Sequence, residues 1–206
     1  MDFRFTDDQL AIQDAARRIA RERIAPVAAE FDRLGEFPVE TMKVLGENGM
    51  MGIEVPHEYG GAGMDAIAYV LAMIEIAAAD CAHSTIMSVN NTLYCNGLLK
   101  NGTHEQCLRF VTPIATGAAI GAYALTEPQS GSDASAMRTR AQKSADGSHY
   151  VINGKKSWIT SANNATAYVW SSRPAAADAP STLWLVPANA QGLDRAQARR
   201  ILGEPE

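Results

Sequence analysis

Two short runs hold the side chains best suited to chemistry. The first is Tyr123-Ala124-Leu125-Thr126-Glu127-Pro128-Gln129-Ser130-Gly131-Ser132-Asp133. Thr126, Ser130 and Ser132 offer hydroxyls, Pro128 fixes a turn, and Gly131 lets backbone approach a ligand closely. Successive amides in such a segment can form an anion-binding nest. The second run is Trp158-Ile159-Thr160, which ends the strand-like stretch from Tyr150 to Ser157. Side chains alternate along a strand, so the Trp158 indole and the Thr160 hydroxyl are expected on one face. Together the runs suit a flat, polar-edged ring and its phosphates. Taken singly, each has a plainer reading, as a Ser/Gly loop and as a half-buried sheet aromatic. Their joint occurrence favours the ring. A nucleophilic serine is disfavoured, because no His–Asp pair is spaced to support it and His149 is the only downstream histidine.

Composition narrows the classes. A chain of 206 residues, 47% hydrophobic, can bury the core of one large or two small domains. Its net charge of -5, with no dense Lys/Arg cluster, argues against a nucleic-acid surface. Arg17, Arg18, Arg21 and Arg23 share a helix with Asp14 and Glu22 and read as a solvated face. Cys81, Cys95 and Cys107 are odd in number and widely spaced, which fits a reducing cytosol rather than a disulfide framework. Cys81 with His83, and His104 with Cys107, match no zinc spacing, and helical burial is favoured for them. No signal or transit peptide opens the chain and no apolar run could span a membrane, so the expected location is the cytoplasm of a bacterial-type cell.

The elements that must position the two runs change character near Gly117. Before it the chain reads as helices. Thr6 with Gln9 forms a capping-box pattern, and Ile12, Ala16, Ile19 and Val27 lie near one stripe of a helix to about Ile24, kinked or restarted at Pro26. Pro38 suits the first turn of a second helix, ended by Gly46 or Gly49. A turn-rich loop covers Pro56 to Gly63. A third helix, Asp65 to Ala79, is apolar on most sides and is expected at the centre of a bundle. A fourth runs from about His83 to Leu99. A fifth starts at Thr103, with Gln106 as capping partner, and stops before Gly117. After Gly117 the period shortens, and strands are expected over Ala118–Leu125, Met137–Lys143, His149–Ile159, Thr166–Ser171 and Thr182–Val186. Asp146-Gly147 and Asn153-Gly154 are turn signals, and Ser172 to Ser181 reads as an exposed hairpin tip. Helices followed by strands predict an α+β chain: an all-α helical bundle over residues 1–117, then a small antiparallel β-barrel-like domain over 118–193 and a tail over 194–206.

These residues resemble the acyl-CoA dehydrogenase family, and its short-chain, butyryl-CoA members most. The two runs are similar to the family's flavin-binding signatures. Gly52-Ile53-Glu54-Val55-Pro56 with Tyr59-Gly60-Gly61-Ala62-Gly63 resembles its loop after the second helix. Met87 to Tyr94 is similar to a short-chain-type helix, and Gly102-Thr103-His104-Glu105-Gln106 to the next helix start. The likeness covers about Phe3 to Leu193. It implies FAD as cofactor, with Tyr123, Leu125, Thr126, Gly131 and Ser132 around the flavin's pyrimidine side and phosphates. Thr126 would hydrogen-bond the ring, and Ser132 would also sit near the CoA portion of a thioester substrate. Trp158, Ile159 and Thr160 would pack on the flavin, with Thr160 reaching the ring nitrogen that accepts hydride. In the family a glutamate removes the α-proton of an acyl-CoA while the β-hydride passes to FAD. The product is a trans-2-enoyl-CoA, and electrons leave to an electron-transfer flavoprotein.

The likeness also implies what the chain lacks. The family's base glutamate and much of its homo-oligomer interface belong to a C-terminal helical domain that would follow Glu206. Glu75 and Glu127 match no base position, so no catalytic residue is assigned. From Asp194 to Arg200 the sequence departs from the family, and Ile201 to Pro205 resembles a stretch that lies further on, as in an internal deletion, a frameshifted gene end or an edited chain. The sheet is therefore expected to lack strands and to have a poorly protected edge. Two readings stand beside the enzyme: a flavin- and acyl-CoA-binding half that needs a partner chain, and an inactive remnant.

Overall fold

Thr6 opens the first helix through a reciprocal cap. Its hydroxyl accepts the Gln9 amide at 3.2 Å, and the Gln9 side-chain oxygen accepts the Thr6 amide at 3.0 Å. The structure, a computed structural model, describes residues 4–174 and 181–195. It divides at Ile120/Gly121 into two compact units.

In the first unit α1 (Asp7–Ile19) passes through a π-helical stretch (Ala20–Ile24) into α2 (Ala25–Leu34). Pro26 falls in the first turn of α2, and the widened stretch before it absorbs the hydrogen bond that proline cannot make. Pro38 precedes α3 (Val39–Glu47). Asp65 caps α4 (Ala66–Ala79) and Asp80 caps α5 (Cys81–Ser88). A second π-helical stretch (Val89–Cys95) leads into α6 (Asn96–Asn101), followed by α7 (His104–Phe110), which starts at the Thr103–Gln106 box, and α8 (Thr112–Ala115). The core gathers Ala16, Ile19, Ile24, Met42, Leu45, Met50, Met51, Ile53, Ala68, Ala72, Ile76 and Met87. His83 is buried between α3 and α5. One ring nitrogen meets Thr41 Oγ1 at 2.6 Å and the other meets Asp80.

Three expectations change here. α4 buries only the face carrying Ala68, Leu71, Ala72 and Ile76, whereas Ile67, Val70 and Ile74 are each at least half exposed. Polar ties explain which side faces α1. Gln9 donates to Asp65 at 2.8 Å, and Arg17 and Gln13 donate to Glu75 at 2.8 and 3.0 Å. Arg17 is thus engaged rather than merely solvated. Cys81 is exposed, while Cys95 and Cys107 are buried.

In the second unit β1 (Gly121–Ala124), β2 (Arg140–Lys143), β3 (Tyr150–Asn153), β4 (Ala167–Pro174) and β5 (Thr182–Pro187) form one five-stranded sheet. β4 is its spine. β5 runs antiparallel to it, with Trp170 opposite Trp184, and β1 runs parallel, with Tyr123 opposite Val169. β2 meets only the last two residues of β4, in parallel, and pairs antiparallel with β3. The expected antiparallel barrel-like sheet is therefore mixed and open. Antiparallel pairing follows where neighbours in sequence turn back on each other, as at Gly147 (φ 72) between β2 and β3. β1 and β2 reach β4 only through long connections, which permit parallel pairing. The Tyr150 ring on β3 and the Trp184 ring on β5 lie 4.7 Å apart. The sheet packs Ala122 and Tyr168 beneath Ile159, Ala162, Trp170 and Val186. The tip of the predicted hairpin (175–180) and the tail from 196 lie outside the described residues.

Candidate functional site

β1 delivers the first run. Tyr123 is half-buried on the strand, and burial pushes its phenol above its usual pKa. Leu125 and Thr126 follow, also half-buried. A tight turn then closes, with the Glu127 amide donating to Ser130 O at 2.9 Å and the Ser130 amide to Glu127 O at 3.0 Å. Ser130 Oγ donates to Asp133 O at 2.7 Å. Gly131 and Ser132 stand exposed at the tip, and a methyl group added at Gly131 would meet no atom within 4 Å.

Glu127 points back into the unit instead of toward solvent. Its carboxylate accepts the backbone amides of Arg138 and Thr139 at 2.6 and 3.1 Å, Gln129 Nε2 at 2.7 Å and Lys156 Nζ at 2.9 Å. Burial alone would raise its pKa. The donors on Thr139, Arg138, Lys156 and Gln129 outweigh that and hold it at about 2. Lys156, its partner, also donates to Leu125 O at 2.8 Å and Ser171 Oγ at 3.0 Å. Burial lowers the Lys156 pKa, and Glu127 opposes that shift. Both side chains are 2% exposed.

The second run departs from its expected geometry. β3 stops at Asn153, so Trp158 and Thr160 do not share a strand face. Gly154 packs directly on Thr139, Lys156 is drawn down to Glu127, and the Ser157 amide donates to Thr126 O at 2.9 Å. These ties pull the chain off the sheet. Trp158 then adopts φ 60 and Ser161 φ 62, the left-handed region that non-glycine residues seldom occupy. Trp158 is left 69% exposed, while Ile159 packs on the sheet and Thr160 begins a turn, half-buried. The Ser157–Thr126 bond brings the two runs together, and Gly131 and Ser132 project at the tip beyond it. Sequence reasoning missed Lys156 and gave Glu127 no task. The pair spans 29 residues and has no local signature.

This arrangement fits a flat ring with a phosphate tail. It offers an exposed indole on a left-handed backbone, hydroxyls on Thr126 and Thr160, and an open tip carrying Gly131 and Ser132. Ser161 Oγ and Trp170 Nε1 are buried in the same unit with no partner, a rare state for buried polar atoms. Among the described residues no three His, Cys, Asp or Glu side chains gather as a metal site, and no helix is long and apolar enough to cross a membrane.

The acyl-CoA dehydrogenase N-terminal domain matches residues 6–118, and the acyl-CoA dehydrogenase middle domain matches residues 122–206. This chain belongs to the acyl-CoA dehydrogenase family. It is 40% identical over 169 residues to a short-chain specific acyl-CoA dehydrogenase of Clostridium acetobutylicum, covering 82% of this chain and 44% of that protein. Butyryl-CoA dehydrogenase from Megasphaera elsdenii superposes with a TM-score of 0.88 at 31% identity, over 93% of this chain and 51% of the other. A glutaryl-CoA dehydrogenase from Mycobacterium smegmatis, solved in complex with FADH2, gives 0.89 at 31% identity, over 96% and 50%. The chain thus spans about half the length of these relatives.

Proposed function

We propose that this chain forms the flavin- and CoA-binding half of an FAD-dependent dehydrogenase that converts a short-chain acyl-CoA to its trans-2-enoyl-CoA. The observation that carries the reading is Trp158, an exposed indole in a left-handed backbone tied beside the Thr126 loop. Strained, exposed aromatics of this kind persist where a ligand uses them. FAD, when bound, supplies the acceptor for the substrate's β-hydride. Trp158 offers the ring an apolar plane, and Tyr123, Leu125 and Ile159 line its surroundings. Thr126 and Thr160 present hydroxyls to its polar edge. The Gly131 amide and the Ser132 hydroxyl address the phosphates, with Ser132 also toward the CoA portion. No carboxylate here is assigned as base, because Glu127 is committed to its buried donors and Glu75 to Arg17 and Gln13. Electrons pass on to an electron-transfer flavoprotein, and the setting is a bacterial-type cytoplasm.

A second reading, that a helical partner chain must complete this half, is favoured by one observation. Ile67, Val70 and Ile74, beside Phe5, present an apolar groove on α4. The test is the visible spectrum of the purified chain with added FAD, before and after butyryl-CoA. Bound flavin whose affinity falls at least tenfold in Trp158→Ala supports the binding role. Bleaching by butyryl-CoA without any partner supports turnover, and bleaching only with a helical partner supports the second reading. A chain that takes up no FAD under any condition overturns both and leaves an inactive remnant.

A further inference from the structure

We infer that the buried Glu127–Lys156 pair is a positioning device that sets the two flavin-facing runs against each other, so that neither residue touches the cofactor yet both determine how it is held. The inference rests on the flavin-binding reading above and extends it to residues outside the two runs' contact surfaces.

Four segments converge on this pair. Lys156 Nζ reaches Leu125 O, Glu127 and Ser171 on β4. Glu127 gathers the amides of Arg138 and Thr139 just ahead of β2. Ser171 Oγ passes the connection on to Ala124 O at 3.1 Å, at the end of β1. Thr126 is the immediate neighbour of Glu127, and Trp158 lies two residues beyond Lys156, with the Ser157 amide bonded to Thr126 O at 2.9 Å between them. Any shift of the pair must therefore move both runs.

Stability is a weak reason for such a pair. Two charges lose their hydration on burial, and apolar replacements of similar volume often do as well or better. What an ion pair also tied to Gln129, Arg138, Thr139, Leu125 and Ser171 provides is a single geometry. That geometry has a use here, because the left-handed Trp158 persists only if its surroundings over-determine it. Groups that contact a ligand need such support behind them to be held within a fraction of an ångström.

The test uses the 206-residue chain labelled with 5-fluorotryptophan. Its three tryptophans, Trp158, Trp170 and Trp184, give three fluorine resonances, assigned by single Phe substitutions. Lys156→Met and Glu127→Gln are compared with wild type for resonance position, thermal midpoint and FAD affinity by flavin fluorescence. The expected result is a selective shift or broadening of the Trp158 resonance, with Trp184 unmoved, and FAD affinity weakened at least tenfold in a still folded protein. Glu127→Gln, which keeps an acceptor oxygen for the Arg138 and Thr139 amides, should show the smaller change. An unmoved Trp158 resonance with FAD affinity within twofold of wild type overturns the inference. So does failure of both variants to fold, because the pair would then hold the whole unit rather than the runs. If wild type binds no FAD but Lys156→Met still moves Trp158 alone, the clamp stands and the flavin reading fails.

Discussion

Lowering the pH should loosen the second unit through Glu127. Its carboxyl is held at about 2, against an ordinary value of 4.5. A folded-state value below the unfolded one means stability that is complete above about pH 5 and is lost as pH falls toward 2. At about 1.4 kcal/mol for each tenfold change in proton affinity, the depression corresponds to about 3 kcal/mol, an upper figure for one buried carboxylate. The assay separates the two units. Trp158, Trp170 and Trp184 all lie in the second unit, so tryptophan emission during urea unfolding follows that unit, while ellipticity at 222 nm follows the helices. Wild type should lose emission-detected stability steeply between pH 5 and 2. Glu127→Gln should start lower at neutral pH, by about 3–5 kcal/mol, because Lys156 is left buried without its countercharge, and should then change little over the same window. Asp146, held at about 2 by Ser144 and Ser148, and Asp133, lowered by Ser135, titrate in both proteins and cancel in the comparison. If Glu127→Gln is too unstable to titrate, Glu127→Gln with Lys156→Met removes the orphaned charge and carries the same comparison. Equal pH slopes in wild type and variant would refute the assignment of this stability to Glu127.

Three further outcomes are expected. Gly154→Ala places a methyl group against Thr139, with the Thr139 Cβ only 2.6 Å away, and should cost the second unit about 1–3 kcal/mol. Its emission-detected midpoint should fall while the helical signal is unchanged. Thr6→Ala removes half of a capping box and should cost the first unit about 1 kcal/mol, read by ellipticity alone. Ile74→Glu sits on the exposed face of α4 and should leave ellipticity-detected stability within about 0.5 kcal/mol of wild type; a larger loss would mean that this face is packed.

What could be read from the chain divides along the range of the interactions involved. The caps at Thr6–Gln9 and Thr103–Gln106 and the turn at Gly147 are made within a few residues, and all are present. The change from helical to strand period near Gly117 is likewise a sum of local preferences. Sheet pairing is not local. Nothing near β1 specifies that its partner is β4 or that they run parallel. The apolar α4 misled for a related reason. Uniform hydrophobicity shows that a helix will be covered but not by what, and α1 takes only the side where Gln9, Gln13 and Arg17 find Asp65 and Glu75.

The candidate site shows the same limit most sharply. Its residue types were legible, because hydroxyls, glycine and an indole in short runs carry their chemistry with them. The backbone that presents them was not. Strand alternation would have set Trp158 and Thr160 side by side, yet the chain leaves the sheet at Gly154 and turns left-handed at Trp158. The cause sits two residues earlier in Lys156, which is committed to a carboxylate 29 residues away. A lysine beside another lysine, in the polar run Asn153-Gly154-Lys155-Lys156-Ser157, ordinarily reads as solvent-facing. Only the tertiary fold reveals that one of the two is buried, and that the burial sets the conformation of the tryptophan after it. The residues proposed to touch a ligand are thus named from sequence, while the residues that aim them emerge only from the packed structure.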